Sequence, residues 1–275
     1  MIKGLIQLKF AFMLTVLCGC AASGEAKLNV SNNAMLTNSN AGCGIMQVGS
    51  GDFLTKHIHV LNHERTYHLR IPSSYDHNRA YPVIFRWHGA GGDGLSGGLG
   101  IEYSAGEDAI IVSADGLDKY WRYNNNSIDL QLFDSLLETI SNQYCIDSSR
   151  IFSVGFSVGG SFSNFLACVR GDVLRASAAI AGGLAGEQCK GKVASWFLHD
   201  VDDDAVLIAK GKAVRDRALA INGCSTSTVD EGNGCVLYQG CESAPVVWCE
   251  SKGFGHNTRG DYAPAQVWTF FQSIQ

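Results

Sequence analysis

Proline is scarce, 4 residues in 275, so the backbone has few rigid breaks, whereas 32 glycines allow many tight turns. Charged residues make up only 17% of the chain, and no basic run exceeds a residue or two. That excludes the electrostatic footprint of a nucleic-acid-binding protein. The net charge of −5 would mildly repel polyanions and suits a neutral substrate. No apolar run approaches the length of a transmembrane helix. No cysteine pair has the CxxC spacing of a zinc site or redox motif. No Lys-Ser/Thr follows the glycine-rich stretch at 89–92, so a phosphate-cradling P-loop is excluded. What is present is a globular composition, 46% hydrophobic, with enough apolar residues for a sizeable core.

The first twenty residues have the charged, apolar and small-residue order of a secretory signal. Lys3 and Lys9 precede an apolar run over 10–17, broken only by Thr15, and Gly19-Cys20-Ala21-Ala22-Ser23-Gly24 follows. Export is therefore expected. Leu17-Cys18-Gly19-Cys20 also resembles the lipobox of bacterial lipoproteins, although Cys18 is an uncommon occupant of that motif. Acylation of Cys20 would tether the protein to a membrane surface without threading it through one. The expected location is thus extracellular or, as a lipoprotein, the cell envelope. Of 10 cysteines, two lie in this leader, leaving Cys43, Cys145, Cys168, Cys189, Cys224, Cys235, Cys241 and Cys249. An even set of this kind predicts several disulfides in an oxidising compartment, without revealing the pairing.

Residues 21–42, rich in Ser, Asn, Ala and Gly, read as a flexible spacer. With no internal repeat and no second linker, residues 43–275 are expected to form one domain, with Cys43 stapling its start. Strands are predicted over 56–61 and 66–71 as a hairpin, then over 82–87, 109–113, 150–155, 176–181, 193–199 and 246–248. Helices are predicted over 129–144, 158–169, 204–220 and 263–271. Apolar strands alternating with helices argue for an α/β fold, a mainly parallel sheet with helices on both faces. In such sheets ligands bind beyond the C-terminal ends of the strands.

Three motifs fall at such strand ends. Gly155-Phe156-Ser157-Val158-Gly159 is a G-x-S-x-G between a strand and a helix, the nucleophile elbow of the α/β-hydrolase fold, with Ser157 as the candidate nucleophile. An ordinary glycine-rich turn is the competing reading. His88-Gly89-Ala90-Gly91-Gly92 follows the strand over 82–87 and is placed to offer a backbone amide, with Ala90 the candidate oxyanion donor beside the amide of Val158. His88 itself reads as structural. A serine hydroxyl needs a base, and the base an acceptor that fixes its tautomer. In this fold class the chain order is Ser, acid, His. Only His199 and His256 lie beyond Ser157, and His199 comes too early, so His256 is the candidate base. The acid lies within Asp202-Asp203-Asp204, where Asp202 or Asp204 also suits a helix cap.

The motifs extend further. Gly42-Cys43-Gly44, Arg70-Ile71-Pro72, His88-Gly89, Cys145-Ile146-Asp147, Arg150-Ile151, the segment 155–160 and Leu166-Ala167-Cys168 occur in that order. Gly240-Cys241, Pro245-Val246, Trp248-Cys249-Glu250 and Gly255-His256 complete the series. The set resembles the secreted esterases of carbohydrate esterase family one, the feruloyl esterase and polyhydroxybutyrate depolymerase group, over roughly residues 42 to 275. That family carries its acid four residues after a histidine, as His-Gly-x-x-Asp. The resemblance therefore implies Asp203, with His199 as the marker and Asp202 as runner-up. Asp200 departs from the pattern by replacing its glycine.

The resemblance implies acyl transfer by Ser157, His256 and Asp203, without metal or organic cofactor, on feruloyl or acetyl esters of plant cell-wall polysaccharide such as xylan. Polyhydroxyalkanoate depolymerisation uses the same triad, and the motifs do not separate the two. A catalytically silent carbohydrate-binding or surface protein on a hydrolase scaffold is the reading from another class. Tyr103, Tyr120, Trp121 and Tyr123 are candidates for an aromatic cleft, although core or surface packing is the preferred reading of these rings. The expected partner is the ester substrate alone, and a monomer is expected.

Overall fold

The computed structural model describes residues 41–96, 99–183, 186 and 188–274. The expected leader 1–20 with Cys20, and the expected spacer up to residue 40, lie outside them.

The described chain opens with the hairpin β1 (Phe53–Val60) and β2 (His63–Arg70). Its turn has only two residues between strands, shorter than the expected 62–65, and Leu61 takes φ 53 there. There follow β3 (Tyr81–Trp87), α1 (Ile101–Ala105), β4 (Ile110–Ala114), α2 (Ile128–Gln143), β5 (Ile146–Phe156) and α3 (Val158–Val169). The second half adds β6 (Ala176–Ile180), β7 (Ala194–Asp200), α4 (Ile208–Asn222), β8 (Thr228–Gly232), β9 (Cys235–Tyr238), β10 (Val246–Ser251) and α5 (Ala263–Ser273).

All ten strands join one sheet in the order β1-β2-β4-β3-β5-β6-β7-β10-β9-β8. The six central strands, β4, β3, β5, β6, β7 and β10, run parallel, and β1–β2 and β8–β9 close the edges antiparallel. Strands β3, β4, β6 and β7 are buried throughout, as apolar runs covered on both faces must be. Alternation divides their side chains between two cores. Val83, Phe85 and Trp87 pack with Phe133 of α2 and Phe162 of α3. Ile84, Ile111 and Phe152 pack on the opposite side with Val267 and Phe271 of α5. Helix α4 adds Val214 against Phe197 and Trp248. The mainly parallel sheet with helices on both faces is thus the observed architecture.

Helix α1 and strands β8 and β9 escaped the sequence reading, and helix α4 starts later than expected. Helix α1 has five residues, too few for a 3.6-residue period to register. Strand β8 is exposed along its length and carries no apolar alternation, although the Asn233-Gly234 turn joining it to β9 is a hairpin signal. Helix α4 begins at Ile208 instead of 204, because the acidic run folds back on itself in a turn of its own, and no side chain caps the helix.

All eight remaining cysteines pair, as Cys43–Cys145, Cys168–Cys189, Cys224–Cys241 and Cys235–Cys249. The first spans 102 residues and ties the start of the described chain to the entry of β5. A cross-link over about 100 residues removes roughly 4.7 kcal/mol of unfolded-chain entropy in the loop-closure account.

Candidate active site

Ser157 lies between β5 and α3 at φ 57, ψ −120, a conformation that costs a non-glycine residue on the order of 1–3 kcal/mol. Its amide bonds to the Ile180 carbonyl at 2.9 Å, holding the turn against β6. A side chain at Gly155 would run into the backbone of Gly159, and one at Gly159 into the Trp87 carbonyl at the end of β3. Both glycines are therefore required by close approach, and the turn lifts the serine beyond the sheet.

Parallel pairing of β7 with β10 brings the other two candidates alongside. His256 Nε2 stands 2.8 Å from Ser157 Oγ, and His256 Nδ1 stands 2.8 Å from Asp203 Oδ2. A carboxylate can only accept, so Nδ1 carries the hydrogen and Nε2 is left to receive the serine proton. Ser157 is 8% exposed and Asp203 3%, while the His256 ring keeps access to solvent. Phe156 packs on that ring at 4.7 Å between centroids.

The Asp203 carboxylate is held from several directions. Its Oδ1 accepts the amides of Ala205 at 3.0 Å and Val206 at 2.8 Å. His199 Nε2 lies 3.3 Å from Oδ2 and 2.6 Å from the Val206 carbonyl. The Nε2–H donates to the Val206 carbonyl, and the Val206 amide in turn binds Asp203 Oδ1, so His199 steadies the turn that holds the acid. Its ring occupies the space left by Gly211 of α4. Sequence reasoning used His199 only as a marker of offset and missed this role.

The other acids have different tasks. Asp200 Oδ2 accepts from Ser251 Oγ at 2.7 Å and from the Phe254 amide at 3.2 Å, and its Oδ1 accepts the Asp202 amide at 2.9 Å. Asp202 Oδ2 accepts the Gly253 amide at 3.0 Å. Asp200, which departs from the family pattern, and Asp202 therefore brace the loop carrying His256. Burial pushes the Asp200 carboxyl upward, but the bonds from Ser251 and the amides of Asp202, Phe254 and Gly255 outweigh it and hold the group below the usual aspartate range. Asp204 is exposed.

The stretch 88–92 follows β3 and passes beside the serine: a Cβ on Gly89 would lie 3.6 Å from that of Ser157. Within it the Gly91 amide bonds to the Lys119 carbonyl and the Gly92 amide to the Gly89 carbonyl. Among the described residues no backbone acceptor takes the Ala90 amide. The Val158 amide opens α3, where the first N–H groups have no intrahelical partner. His88 is buried below this loop. Its Nε2 accepts the Gly116 amide at 2.9 Å, so Nδ1 bears the hydrogen and donates to the Gly89 carbonyl at 2.7 Å. Burial, only partly offset by that bond and by Asp115 and Asp93, holds the imidazole below its usual value, keeping it neutral.

The four aromatic candidates part company. Trp121 is 0% exposed and belongs to the core, its Nε1 donating to the His88 carbonyl at 2.9 Å, which removes it from any cleft lining. Tyr123 is half-buried against the same core, Tyr120 lies beside it at 6.3 Å, and Tyr103 is 86% exposed on α1. A ring that the sequence reading passed over, Phe254, is 53% exposed two residues before His256. Among the described residues no group of His, Cys, Asp or Glu is arranged to hold a metal ion, and no helix is long and apolar enough to cross a membrane.

No family model matches the chain. It is 35% identical over 263 residues to feruloyl esterase D of Neurospora crassa, covering 84% of this chain and 89% of that protein. It is 32% identical over 267 residues to a probable feruloyl esterase C of Aspergillus terreus, covering 88% and 95%. Among solved structures, the acetyl xylan esterase of Aspergillus awamori superposes with a TM-score of 0.64 at 13% identity, covering 80% of this chain and 99% of that one, a likeness of fold.

Proposed function

The chain belongs to the feruloyl esterase family, whose members are carboxylic ester hydrolases, and from that premise we propose that it cleaves feruloyl or acetyl esters of plant cell-wall polysaccharide with Ser157, His256 and Asp203 as its catalytic residues. The observation that carries this reading is the unbroken pair of 2.8 Å hydrogen bonds from Ser157 through His256 to Asp203 at three strand ends.

Ser157 Oγ attacks the ester carbonyl as its proton passes to His256 Nε2. Asp203 holds the imidazole in the Nδ1–H tautomer and stabilises its charged form. The amides of Ala90 and Val158 receive the oxyanion, an effect of about 3 kcal/mol per donor in comparable sites. His256 then returns the proton to the leaving alcohol, and a water activated by the same base releases the acid. Nothing in these steps calls for a metal or organic cofactor.

Four disulfides support a working place in an oxidising compartment. Residues 1–20 are proposed as the leader and 43–275 as the catalytic domain, and the mass of the mature N-terminus decides whether Cys20 is acylated.

The test is turnover of methyl ferulate, acetylated xylan and polyhydroxybutyrate by protein lacking residues 1–20, with Ser157→Ala as control. Release of ferulate or acetate, abolished by Ser157→Ala, is the expected outcome. Preference for polyhydroxybutyrate would move the enzyme to polyester breakdown. No turnover of any ester would leave a silent scaffold and sink the proposal.

A further inference from the structure

The alcohol half of the ester has to leave over His256, because His256 Nε2 must hand its proton to the departing oxygen, whereas the carbonyl oxygen turns toward the amides of Ala90 and Val158. Residues flanking His256 therefore flank the alcohol. Phe254 is two residues away, so its Cα lies within about 7 Å of that of His256.

Phe254 does not behave as a packing residue. Its side chain is 53% exposed, so part of the ring is open to a ligand. The ring is nonetheless held in place. The Arg259 guanidinium lies 3.7 Å from its centroid and 4.6 Å from that of Tyr262, and Asp261 fixes the guanidinium through two bonds of 3.0 and 2.9 Å. With the cation on one face, the exposure belongs to the other face and the edge. The backbone beneath is equally fixed, since Asp200 takes the Phe254 amide and Asp202 the Gly253 amide. A half-exposed aromatic ring, backed by Arg259 and two residues from His256, suits a ligand with one apolar side and a polar rim, the form a pyranose or furanose ring presents through its C–H face.

We infer that Phe254, backed by Arg259, is a platform for the sugar ring that carries the ester, a binding site on the alcohol side of the triad. The inference rests on the polysaccharide-ester reading above. It makes the enzyme's preference for a sugar ester over a simple alkyl ester depend on Phe254.

The experiment compares Phe254→Ala and Phe254→Trp with the unaltered enzyme on two esters sharing one acyl group, feruloylated arabino-oligosaccharide and methyl ferulate. The ratio of kcat/KM for the oligosaccharide ester to that for methyl ferulate is expected to fall about tenfold in Phe254→Ala, through KM, and to recover in Phe254→Trp. Methyl ferulate turnover also reports folding of each variant. A ratio unchanged in Phe254→Ala, whether both rates hold or both fall together, would overturn the platform while leaving the esterase reading intact. Failure of the unaltered enzyme on both esters would overturn the reading on which it rests, and the platform with it.

Discussion

Asp200 Oδ2 lies 2.7 Å from Ser251 Oγ, bonding the end of the strand that leads to the acid to the end of the strand that leads to the histidine. The two residues are direct register partners in the parallel β7–β10 pair. Beyond them the chains diverge into the loops of Asp203 and His256, so this contact sets the starting separation of the proposed acid and base. A glycine here, as in the family's pattern, would have no side chain to make it.

Asp200→Asn is accordingly expected to weaken the brace without removing a reacting group. The buried carboxylate exchanges charge-assisted bonds for weaker ones at a cost of about 1–3 kcal/mol, and kcat is expected to fall roughly tenfold as His256 loses its fixed approach. The pH dependence has a definite sign. The folded carboxyl ionises below its usual value, so its contribution is full above the unfolded value of about 3.9 and is lost as pH falls through the lower folded value. Thermal melts of both proteins between neutral and acid pH check this. A stability gap that widens on acidification would contradict it, since both proteins lack the charge there.

His88 offers the complementary case. Its neutral Nε2 accepts the Gly116 amide, and a proton there would set donor against donor beneath the candidate oxyanion loop. Since burial lowers its pKa, the unfolded chain takes up this proton first as pH falls below about 6.5. Stability should therefore decline from that point by up to about 1.4 kcal/mol per pH unit and level off below the folded value. His88→Gln is expected to be less stable at neutral pH, with a flatter slope over that window. Denaturant unfolding at a series of pH values measures both, and an equal slope in the two proteins would assign the effect to other groups.

Ser157 and His256 were legible in the sequence as candidates because their signals are local. A strained turn demands glycines at fixed offsets, and the order of acid and histidine left a single base available. The central strands were legible because burial on both faces leaves continuous apolar runs. The function of Asp200 and the donor role of His199 were not legible, because they arise where β7 meets β10, strands about fifty residues apart that become neighbours only in the folded sheet. Trp121 could not be assigned to cleft or core for a related reason: the sequence shows an aromatic beside two tyrosines, but not that its ring stacks on Phe162 inside the core. Phe254 drew no notice since an exposed ring and a buried one look alike in a sequence.

The acidic run 202–204 gives the sharpest separation of roles. Asp203 is buried, receives two backbone amides and meets His256 Nδ1, whereas Asp202 is exposed and holds only the Gly253 amide by its side chain. An amide at 203 keeps the shape but can present an N–H toward His256, favouring the tautomer with Nε2 protonated, which cannot take the serine proton. Asp203→Asn is therefore expected to lower kcat by about 10⁴-fold, the order seen when a triad carboxylate becomes an amide. Asp202→Asn keeps an oxygen to accept the Gly253 amide and only weakens one exposed hydrogen bond, so its loss should stay within roughly tenfold. Rates on methyl ferulate for the two variants decide the matter, and a larger loss at 202 than at 203 would transfer the role of acid to Asp202.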